Sequence, residues 1–382
     1  MADAVQAFPL SELRKRMSVK WRSFPNDVLP LPVAEMDFPI AEPIKEALRD
    51  MINRSDTGYL GPFPEMFEAF SDFSVTKWGW KPDLTQMRIA TDVGVGTVEV
   101  IRTLINQGDK VILNSPVYDN MWRWITEVSA ELVDVPLIKK EMTYSMDFEG
   151  LERAYAAGAK VHLLCSPHNP VGILFSKEDQ IRIAELAKKY QVIVISDEIH
   201  AGLTFPGNSF APFLSVSDAA REVGICVTSA SKAFNLAGLK CAMIITENES
   251  LKNRINAMPQ SVAFRASLFG AVAATAAFNN AREWLDGTLL TLDQNRKLIR
   301  TLIDTKIPAI NYRIPDFGYL AWLDLSNLGL GEDPTKTLLE QGKLAVNTGT
   351  FYSPTHKNFV RLNFGTSAEI IEEAFHRIIR CL

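Results

Sequence analysis

VHLLC at 161–165 and VIVI at 192–195 decide the fold, because each is a continuously apolar run and a helical stretch separates them. That helix begins at Ser176, and Asp179 follows three residues later in capping-box spacing. Continuously apolar strands that alternate with helices indicate a mostly parallel sheet covered by helices on both faces. The centre of the chain therefore predicts an α/β fold.

The same alternation of strands and helices continues on both sides of this centre. Before it, MRIA at 87–90 leads into a helix from Thr97 that stops at Gly108, and KVIL follows at 110–113. After it, GICVTS and CAMIIT are further strand candidates. Beyond about residue 280, a long helix and short strands such as GYLAWLDL and FVRLNF indicate a smaller α+β domain.

These changes of pattern divide the chain into three predicted parts. Residues 1–40 form an N-terminal arm, which we expect to be extended and to cross the surface of another unit, with a partner subunit as one candidate. Residues 41–280 form the large domain, and residues 281–382 form the small domain. The weakly polar stretch 263–278 predicts a buried core helix, because crossing a bilayer takes about 20 apolar residues.

Composition narrows the classes of partner. The chain has 382 residues, 47% of them apolar, and its 45 acidic against 40 basic residues give a net charge of −5. That balance disfavours nucleic-acid and membrane-surface binding and leaves small molecules as the expected partners. The four cysteines show neither a CxxC pair nor metal-ligand spacing, and the first thirty residues show no signal peptide. We expect a cytoplasmic protein without a metal.

Polar residues follow the predicted strands where a ligand is expected, beyond the carboxyl ends of a parallel sheet. These segments supply an amide, a carboxylate, a hydroxyl with a lysine, and a glycine-bearing turn that leads into a helix. In chain order the segments are TDVGVGT (91–97), SPHNPVG (166–172), SDEIH (196–200) and SASK (229–232).

One chemistry uses all four kinds of group. In a pyridoxal phosphate site a lysine forms a Schiff base, a carboxylate keeps the pyridine nitrogen protonated, and donors hold the phosphate and phenolate oxygens. We expect the turn before Thr97 to point the free N–H groups of Val95 and Gly96 at the phosphate, with Ser229 and Lys240 completing that site. The segment is not a dinucleotide fingerprint, since no third glycine follows at the required offset.

The chain resembles the fold type I pyridoxal phosphate enzymes of the class I/II aminotransferase group over nearly its whole length. Successive residues lie at matching spacings, 28 from Asn169 to Asp197 and 35 from Asp197 to Lys232. A further 129 residues separate Lys232 from Arg361. The resemblance implies an aspartate aminotransferase-like fold. The motifs that carry it, in the family's order, are SPHNPVG, DEIH, SASKAFNLAGLK and VRLNF.

The resemblance implies a role for each matching residue. Lys232 is the expected Schiff-base lysine and catalytic base, Asp197 pairs with the pyridine nitrogen, and Asn169 bonds the ring phenolate. Tyr118 stacks on the ring and borders the substrate. Arg361 clamps the substrate carboxylate, for which its forked guanidinium is suited.

Two further residues have less specific expected roles. Tyr59, in DTGYLGP, is similar to the tyrosine that reaches the neighbouring subunit's phosphate and substrate, which implies a homodimer with shared active sites. His200 is either a direct cofactor contact or a supporting residue behind it. The nearby Trp122 and Trp124 are either core aromatics or part of the pocket wall.

Details within the group point to one branch. AEMDF at 34–38, His200 in place of tyrosine and Lys240 in place of arginine look like the cystathionine β-lyase and cystalysin branch. That resemblance implies a carbon–sulfur lyase that converts L-cystathionine or related cysteine S-conjugates to a thiol, pyruvate and ammonia, as in methionine biosynthesis. A true aminotransferase needs the same residues and is the alternative. A non-catalytic regulator is a remote one, since the arm shows no helix-turn-helix pattern.

Overall fold

The computed structural model describes residues 2–382 and contains two main β-sheets with helices around them. The helices are α1 Leu10–Leu13, α2 Val19–Arg22, α3 Glu42–Asn53, α4 Pro64–Trp78, α5 Val93–Leu104, α6 Asp119–Glu127, α7 Phe148–Ala156, α8 Lys177–Tyr190, α9 Asp218–Val223, α10 Glu249–Asn256, α11 Ser261–Phe264, α12 Leu268–Asn280, α13 Arg282–Lys306, α14 Pro334–Glu340 and α15 Ala368–Ile379. The strands are β1 Leu29–Pro30, β2 Met87–Ala90, β3 Lys110–Leu113, β4 Glu131–Asp134, β5 Ile138–Lys140, β6 Thr143–Ser145, β7 Val161–Cys165, β8 Ile193–Asp197, β9 Gly224–Thr228, β10 Ala242–Thr246, β11 Asn311–Tyr312, β12 Leu320–Asp324, β13 Leu344–Ala345, β14 Asn347–Thr348 and β15 Phe359–Asn363.

The larger sheet has seven strands in the order β2-β10-β9-β8-β7-β3-β4. Strand β10 is antiparallel to both of its neighbours, and the pairs from β9 to β4 are parallel. The predicted α/β architecture with a mostly parallel sheet is therefore confirmed.

Both faces of this sheet are buried, which explains why its strands are apolar without alternation. In β7, Leu163 packs into the core on one face and Leu164 into the core on the other. In β8, Ile195 and Val194 divide between the same two cores. Helices α5, α6 and α10 cover one face, and α8 and the buried side of α12 lie on the other.

Capping residues set where the helices begin. The predicted capping box at Ser176 is present, since the Asp179 N–H donates to Ser176 Oγ and the Ser176 N–H to Asp179 Oδ2. The predicted start at Thr97 is wrong, because α5 begins four residues earlier, at Val93, where Asp92 caps it. The glycine-bearing segment is thus the first turn of a helix rather than a turn leading into one.

The smaller sheet is antiparallel, with strand order β11-β12-β15-β14, and the long helix α13 precedes it in the chain. This confirms the smaller α+β unit towards the C-terminus. The predicted domain boundaries at 40 and 280 remain a prediction.

The N-terminal arm lies against its own chain, and the expectation that it also crosses another unit remains a prediction. Strand β1 pairs in parallel with β13, and the Leu29 N–H donates to the Lys343 carbonyl at 2.7 Å. Leu13 and Trp21, on the two short helices of the arm, are buried. Apolar side chains spread over two helical turns and a strand thus attach the arm to the fold.

The predicted core helix at 263–278 is divided between two helices. Most of it is α12, whose buried alanines pack against α3 and α4. Its beginning belongs to α11, where Phe264 is half exposed. Within residues 2–382, no helix combines the length and the apolar character that crossing a membrane requires.

Candidate active site

The carboxyl ends of β7, β8 and β9 open into one cavity of about 630 Å³. Segments of the arm, the α5 and α6 helices and the smaller sheet complete its walls. Of the residues predicted from the sequence, Gly96 and Tyr59 lie outside this cavity. Those that line it are Val95, Tyr118, Asn169, Asp197, His200, Ser229, Lys232, Lys240 and Arg361.

Lys232 lies on the loop after β9 and its amine contacts the N-terminal arm. Its Nζ donates a 2.7 Å hydrogen bond to the carbonyl oxygen of Ala34. Burial, together with the charge of Arg361, lowers the pKa of Lys232 to about 8, while Glu35 and Asp197 act in the opposite direction. At pH 7 about one tenth of this amine is therefore in the unprotonated, nucleophilic form, and this fraction rises to about half at pH 8.

Asp197 is the last residue of β8 and is buried. Burial raises the pKa of its carboxyl to about 6, although the Ile199 N–H donates to Oδ1 at 3.1 Å and Lys232 is nearby. A cationic group placed against a buried carboxylate of this kind stabilises its charged form strongly.

Arg361, in β15 of the smaller sheet, is only 3% exposed and has no carboxylate within ion-pair distance among the described residues. Its Nη1 donates to Asn169 Oδ1 at 3.2 Å and its Nη2 to the Pro32 carbonyl at 3.0 Å, while Nε has no partner. A buried guanidinium without a counter-charge calls for an anionic ligand. The arrangement is suited to a carboxylate that enters the cavity.

His200 and Tyr118 both line the cavity. The His200 ring packs against Phe317 and Tyr319, and its Nδ1 is buried without a partner. Burial holds the pKa of His200 well below its ordinary value, so the ring is neutral. Burial also raises the pKa of Tyr118, whose hydroxyl accepts a hydrogen bond from Asn120.

At the start of α5 the polar groups bond one another. The Val95 N–H donates to Asp92 Oδ1 at 2.8 Å, and the Gly96 N–H donates to the Asp92 carbonyl at 2.9 Å. The expectation that these two N–H groups are free is therefore wrong, because α5 begins four residues earlier than predicted. Lys240 Nζ lies 3.0 Å from Asp92 Oδ2, and Ser229 Oγ donates to the Cys241 carbonyl at 2.6 Å.

Gly96 has a packing role in this helix. A Cβ at this position would lie 3.1 Å from the Cβ of Ala90, so the missing side chain lets α5 approach β2 closely. The unpaired N–H groups of the first turn belong instead to residues such as Gly94, which does line the cavity.

Tyr59 lies at a separate surface depression of about 720 Å³. Its side chain is 82% exposed and its ring stacks on Phe264 at 5.0 Å between centroids. Two large exposed rings in contact form an apolar patch of a kind that is uncommon on a free surface.

Comparison with known proteins identifies the family. The family model for aminotransferase class I and II matches residues 26–378. The chain belongs to the class I and II aminotransferase family. A cystathionine beta-lyase of Corynebacterium glutamicum is 33% identical over 98% of this chain and 100% of its own length. Cystathionine beta-lyase PatB of Bacillus subtilis is 30% identical over 94% and 95%.

The fold of this chain is also similar to that of a solved structure. The PLP-bound C–S lyase of Staphylococcus hominis is 25% identical, covers 98% of both chains and superposes with a TM-score of 0.90. The predicted aspartate aminotransferase-like architecture is confirmed.

Some residues of this family member's cavity were not expected from the sequence. They are the Ala34 carbonyl, Asp92 and Asn347, all of which line the cavity. An aspartate just before an apolar helix is a common N-cap, so the position of Asp92 at the start of α5 could have been predicted. Of the two tryptophans considered from the sequence, Trp124 lines the cavity, and both pack against the core. Ala34 and Asn347 carried no signal, because only the folded chain brings them to Lys232 and Arg361.

No metal site is evident in the described part of the chain, where no three His, Cys, Asp or Glu side chains converge. The charged groups of this cavity suit an organic cofactor and an amino-acid ligand better than a cation.

Proposed function

We propose that this chain is a pyridoxal phosphate-dependent carbon–sulfur lyase that cleaves L-cystathionine or related cysteine S-conjugates to a thiol, pyruvate and ammonia. The observation that carries the proposal is one cavity that holds a lysine of lowered pKa, a buried aspartate and a buried arginine without a counter-charge. The names of the two sequence relatives support the choice of reaction.

The donor set of the cavity fits this cofactor. Asp197 offers a buried carboxylate for a protonated ring nitrogen, and Lys232 offers an amine of lowered pKa for an aldehyde. The first turn of α5 with Lys240 and Ser229 would hold the phosphate, Asn169 and His200 would face the ring oxygen, and Tyr118 would cover the ring. The buried Nδ1 of His200, which has no partner in the described chain, is consistent with a ligand beside it.

The cofactor, when bound, supplies an aldehyde that links covalently to amino groups and a protonated ring that takes up an electron pair from Cα. Lys232 then acts as the base, because its amine pKa of about 8 lets it accept the Cα proton near neutral pH. Asp197 keeps the ring nitrogen protonated by its negative charge.

Arg361 holds the substrate carboxylate, so that the Cα–H bond is oriented towards Lys232. As Lys232 takes the Cα proton, the Cβ–S bond breaks and its electron pair leaves with the sulfur as a thiolate. Water then releases the remaining carbon skeleton as pyruvate and the nitrogen as ammonia. Apart from water, no oxidant or second substrate is needed.

We propose further that the protein is a homodimer with shared active sites. The exposed Tyr59 and Phe264 rings provide an apolar patch for a second copy, and Tyr59 would then reach the partner's cofactor and substrate. A Phe264→Asp variant should shift the mass measured by light scattering towards that of a 42.6 kDa monomer. A monomeric wild type would exclude the dimer.

The three-part division at residues 40 and 280 and a cytoplasmic location belong to the same proposal. All four cysteines are free, and Cys165, Cys226 and Cys241 are buried, which suits a reducing compartment. Fractionation of the source cells, probed with an antibody, would test the location.

The deciding experiment loads the protein with pyridoxal phosphate and adds L-cystathionine without any keto acid. A lyase releases pyruvate, ammonia and thiol in equal amounts over many turnovers. An aminotransferase would instead use up the aldehyde form of its cofactor in a single turnover and would continue only after a keto acid is added. Lys232→Ala is the inactive control. Lys240→Ala is the matched control variant, because it removes another lysine from the same cavity.

A further inference from the structure

The segment 32–38, which we call the strap, lines one part of the cavity with Val33 and Ala34 and contacts residues from both sheets. Its backbone carbonyls accept hydrogen bonds from side chains on both sides. Arg361 donates to Pro32 at 3.0 Å, and Asn363 donates to Val33 and Glu35. Lys232 reaches the strap from the larger sheet at Ala34, and Asn235 pairs with the backbone of Met36.

Asp37 anchors one end of the strap in a charged contact that is shielded from solvent. Its Oδ2 lies 2.7 Å from Lys20 Nζ, and the side chains of both residues are 0% exposed. Trp21 Nε1 donates to Oδ1 at 3.1 Å, and Arg16 lies 3.7 Å from the same oxygen. The Asp37 N–H also donates to the Gly365 carbonyl at 2.7 Å. Its side chain and backbone thus fix this residue from several directions.

We propose that Asp37, paired with Lys20, is a positioning residue that holds the strap so that the Ala34 carbonyl faces Lys232. This inference rests on the proposed function, because it assigns Lys232 as the reacting amine. Asp37 lies three residues from Ala34 and outside the cavity lining. It therefore acts through the strap rather than on the substrate.

The Ala34 carbonyl has two donors, and their geometry explains why its position matters. Lys232 Nζ donates at 2.7 Å and Tyr319 Oη at 3.0 Å. A carbonyl at this distance holds the lysine amine against the cavity whenever the amine is not bonded covalently, and it accepts the N–H of the ammonium form after proton transfer. A displacement of about 1 Å at a reacting group is enough to lower a rate about 100-fold.

The burial of the Asp37–Lys20 ion pair also favours a role in positioning the strap over a role in stabilising the fold. Apolar residues of similar volume often stabilise a fold as well as a buried ion pair does, so such pairs are weak stabilising elements. A pair with fixed partners instead specifies one arrangement of the chain segments that it joins. Here it joins helix α2 of the arm to the strap.

The test compares two variants of the pair with a control elsewhere in the chain. Asp37→Asn leaves the Lys20 charge buried alone, and if that variant fails to fold, the double variant Lys20→Met with Asp37→Asn decides. The double variant removes both charges and keeps an acceptor for Trp21. Asp293→Asn is the matched control, because its partly buried pair with Arg296 lies on α13, away from the strap.

Two rates are measured on the full-length chain. One is the first-order rate at which Lys232 captures the cofactor aldehyde at saturating pyridoxal phosphate, followed by visible absorbance. The other is kcat for β-elimination, measured with KM. We expect both rates to fall at least about tenfold in the folded double variant, with KM changed less than about threefold, because Arg361 and Asn347 hold Pro32 independently.

Each outcome decides something. Wild-type rates in a folded double variant would overturn the positioning role, and so would equal losses in Asp293→Asn, which would indicate a general effect on stability. If the wild-type chain captures no pyridoxal phosphate at all, the proposed function fails and the inference fails with it. Normal capture by the wild type with unaffected variants rejects this inference alone.

Discussion

The two ends of the cavity differ in how their polar groups are satisfied. At the Lys240 end, formed by Asp92, Val95, Ser229 and Lys240, the charged and polar groups pair with protein groups. At the Arg361 end, formed by Arg361, Asn169 and His200, the arginine lacks a counter-charge, and one nitrogen each of Arg361 and His200 has no partner. A ligand at the first end replaces internal partners, whereas a ligand at the second meets nitrogens that have no partner in the chain.

Binding energy is therefore available mainly at the Arg361 end. Removing a group at the Arg361 end takes away an interaction that nothing in the chain replaces. Removing a group at the Lys240 end also releases the partner that it held, which offsets part of the loss. We therefore expect larger effects at the Arg361 end and beside it than at the Lys240 end.

The largest effect is expected for Lys232→Ala, between the two ends. Turnover should fall at least about 1,000-fold, because the variant loses both the amine that bonds the aldehyde and the base that takes the Cα proton. Lys240→Ala should retain turnover at saturating cofactor and lose mainly cofactor affinity. Steady-state pyruvate release measures both variants, and activity retained by Lys232→Ala would refute the mechanism.

Asp197→Asn should reduce turnover roughly 100-fold or more, because a neutral amide no longer stabilises a positive ring nitrogen. The same change should stabilise the cofactor-free chain. The folded-state carboxyl has a pKa of about 6, raised by burial from 3.8, so the wild type loses stability as the pH rises from about 4 through 6.

Since about two pKa units separate the folded and unfolded carboxyl, the gain for Asp197→Asn is roughly 3 kcal/mol at pH 8 and shrinks towards pH 4. Urea unfolding of both cofactor-free proteins at several pH values measures it. A gain that is the same at every pH would contradict the assignment to this carboxyl.

Arg361→Ala should raise KM for the amino acid about 10- to 100-fold while the cofactor stays bound, which is the loss expected for a charge-assisted hydrogen-bond pair. Arg361→Lys keeps the charge without the fork and should recover only part of this loss. Steady-state kinetics of both variants checks the prediction. An unchanged KM would move the carboxylate site elsewhere.

The smallest effect is expected at the Lys240 end. Asp92→Asn retains a good N-cap but removes a negative charge beside the proposed phosphate site and releases Lys240. The Kd for pyridoxal phosphate should fall about three- to tenfold, and the gain should weaken with added salt. Pyridoxal, which lacks the phosphate, is the control ligand. A tighter Kd for pyridoxal as well would contradict the assignment of this end to phosphate.

Much of the sheet and the charged centre of the cavity could be predicted from the sequence. Apolar runs such as 161–165 predict strands because a sheet covered on both faces needs no polar positions. Asn169, Asp197 and Lys232 could be placed together because parallel strands end at the same edge. The start of α5 could not be placed correctly, since two glycines that allow close packing, Gly94 on Trp124 and Gly96 on β2, resemble a turn in sequence.

The sequence by itself determined the order of strands and helices, the polar residues at the strand ends and the family to which they belong. Only the tertiary structure decided that Ala34 faces Lys232 across 198 residues of chain, that Asp92 pairs with Lys240 across 148, and that β1 of the arm pairs with β13. The physical reason is that strand and helix patterns arise from neighbours in the chain. A backbone carbonyl has the same chemistry in every residue, so nothing in the sequence marks which one a distant side chain will meet.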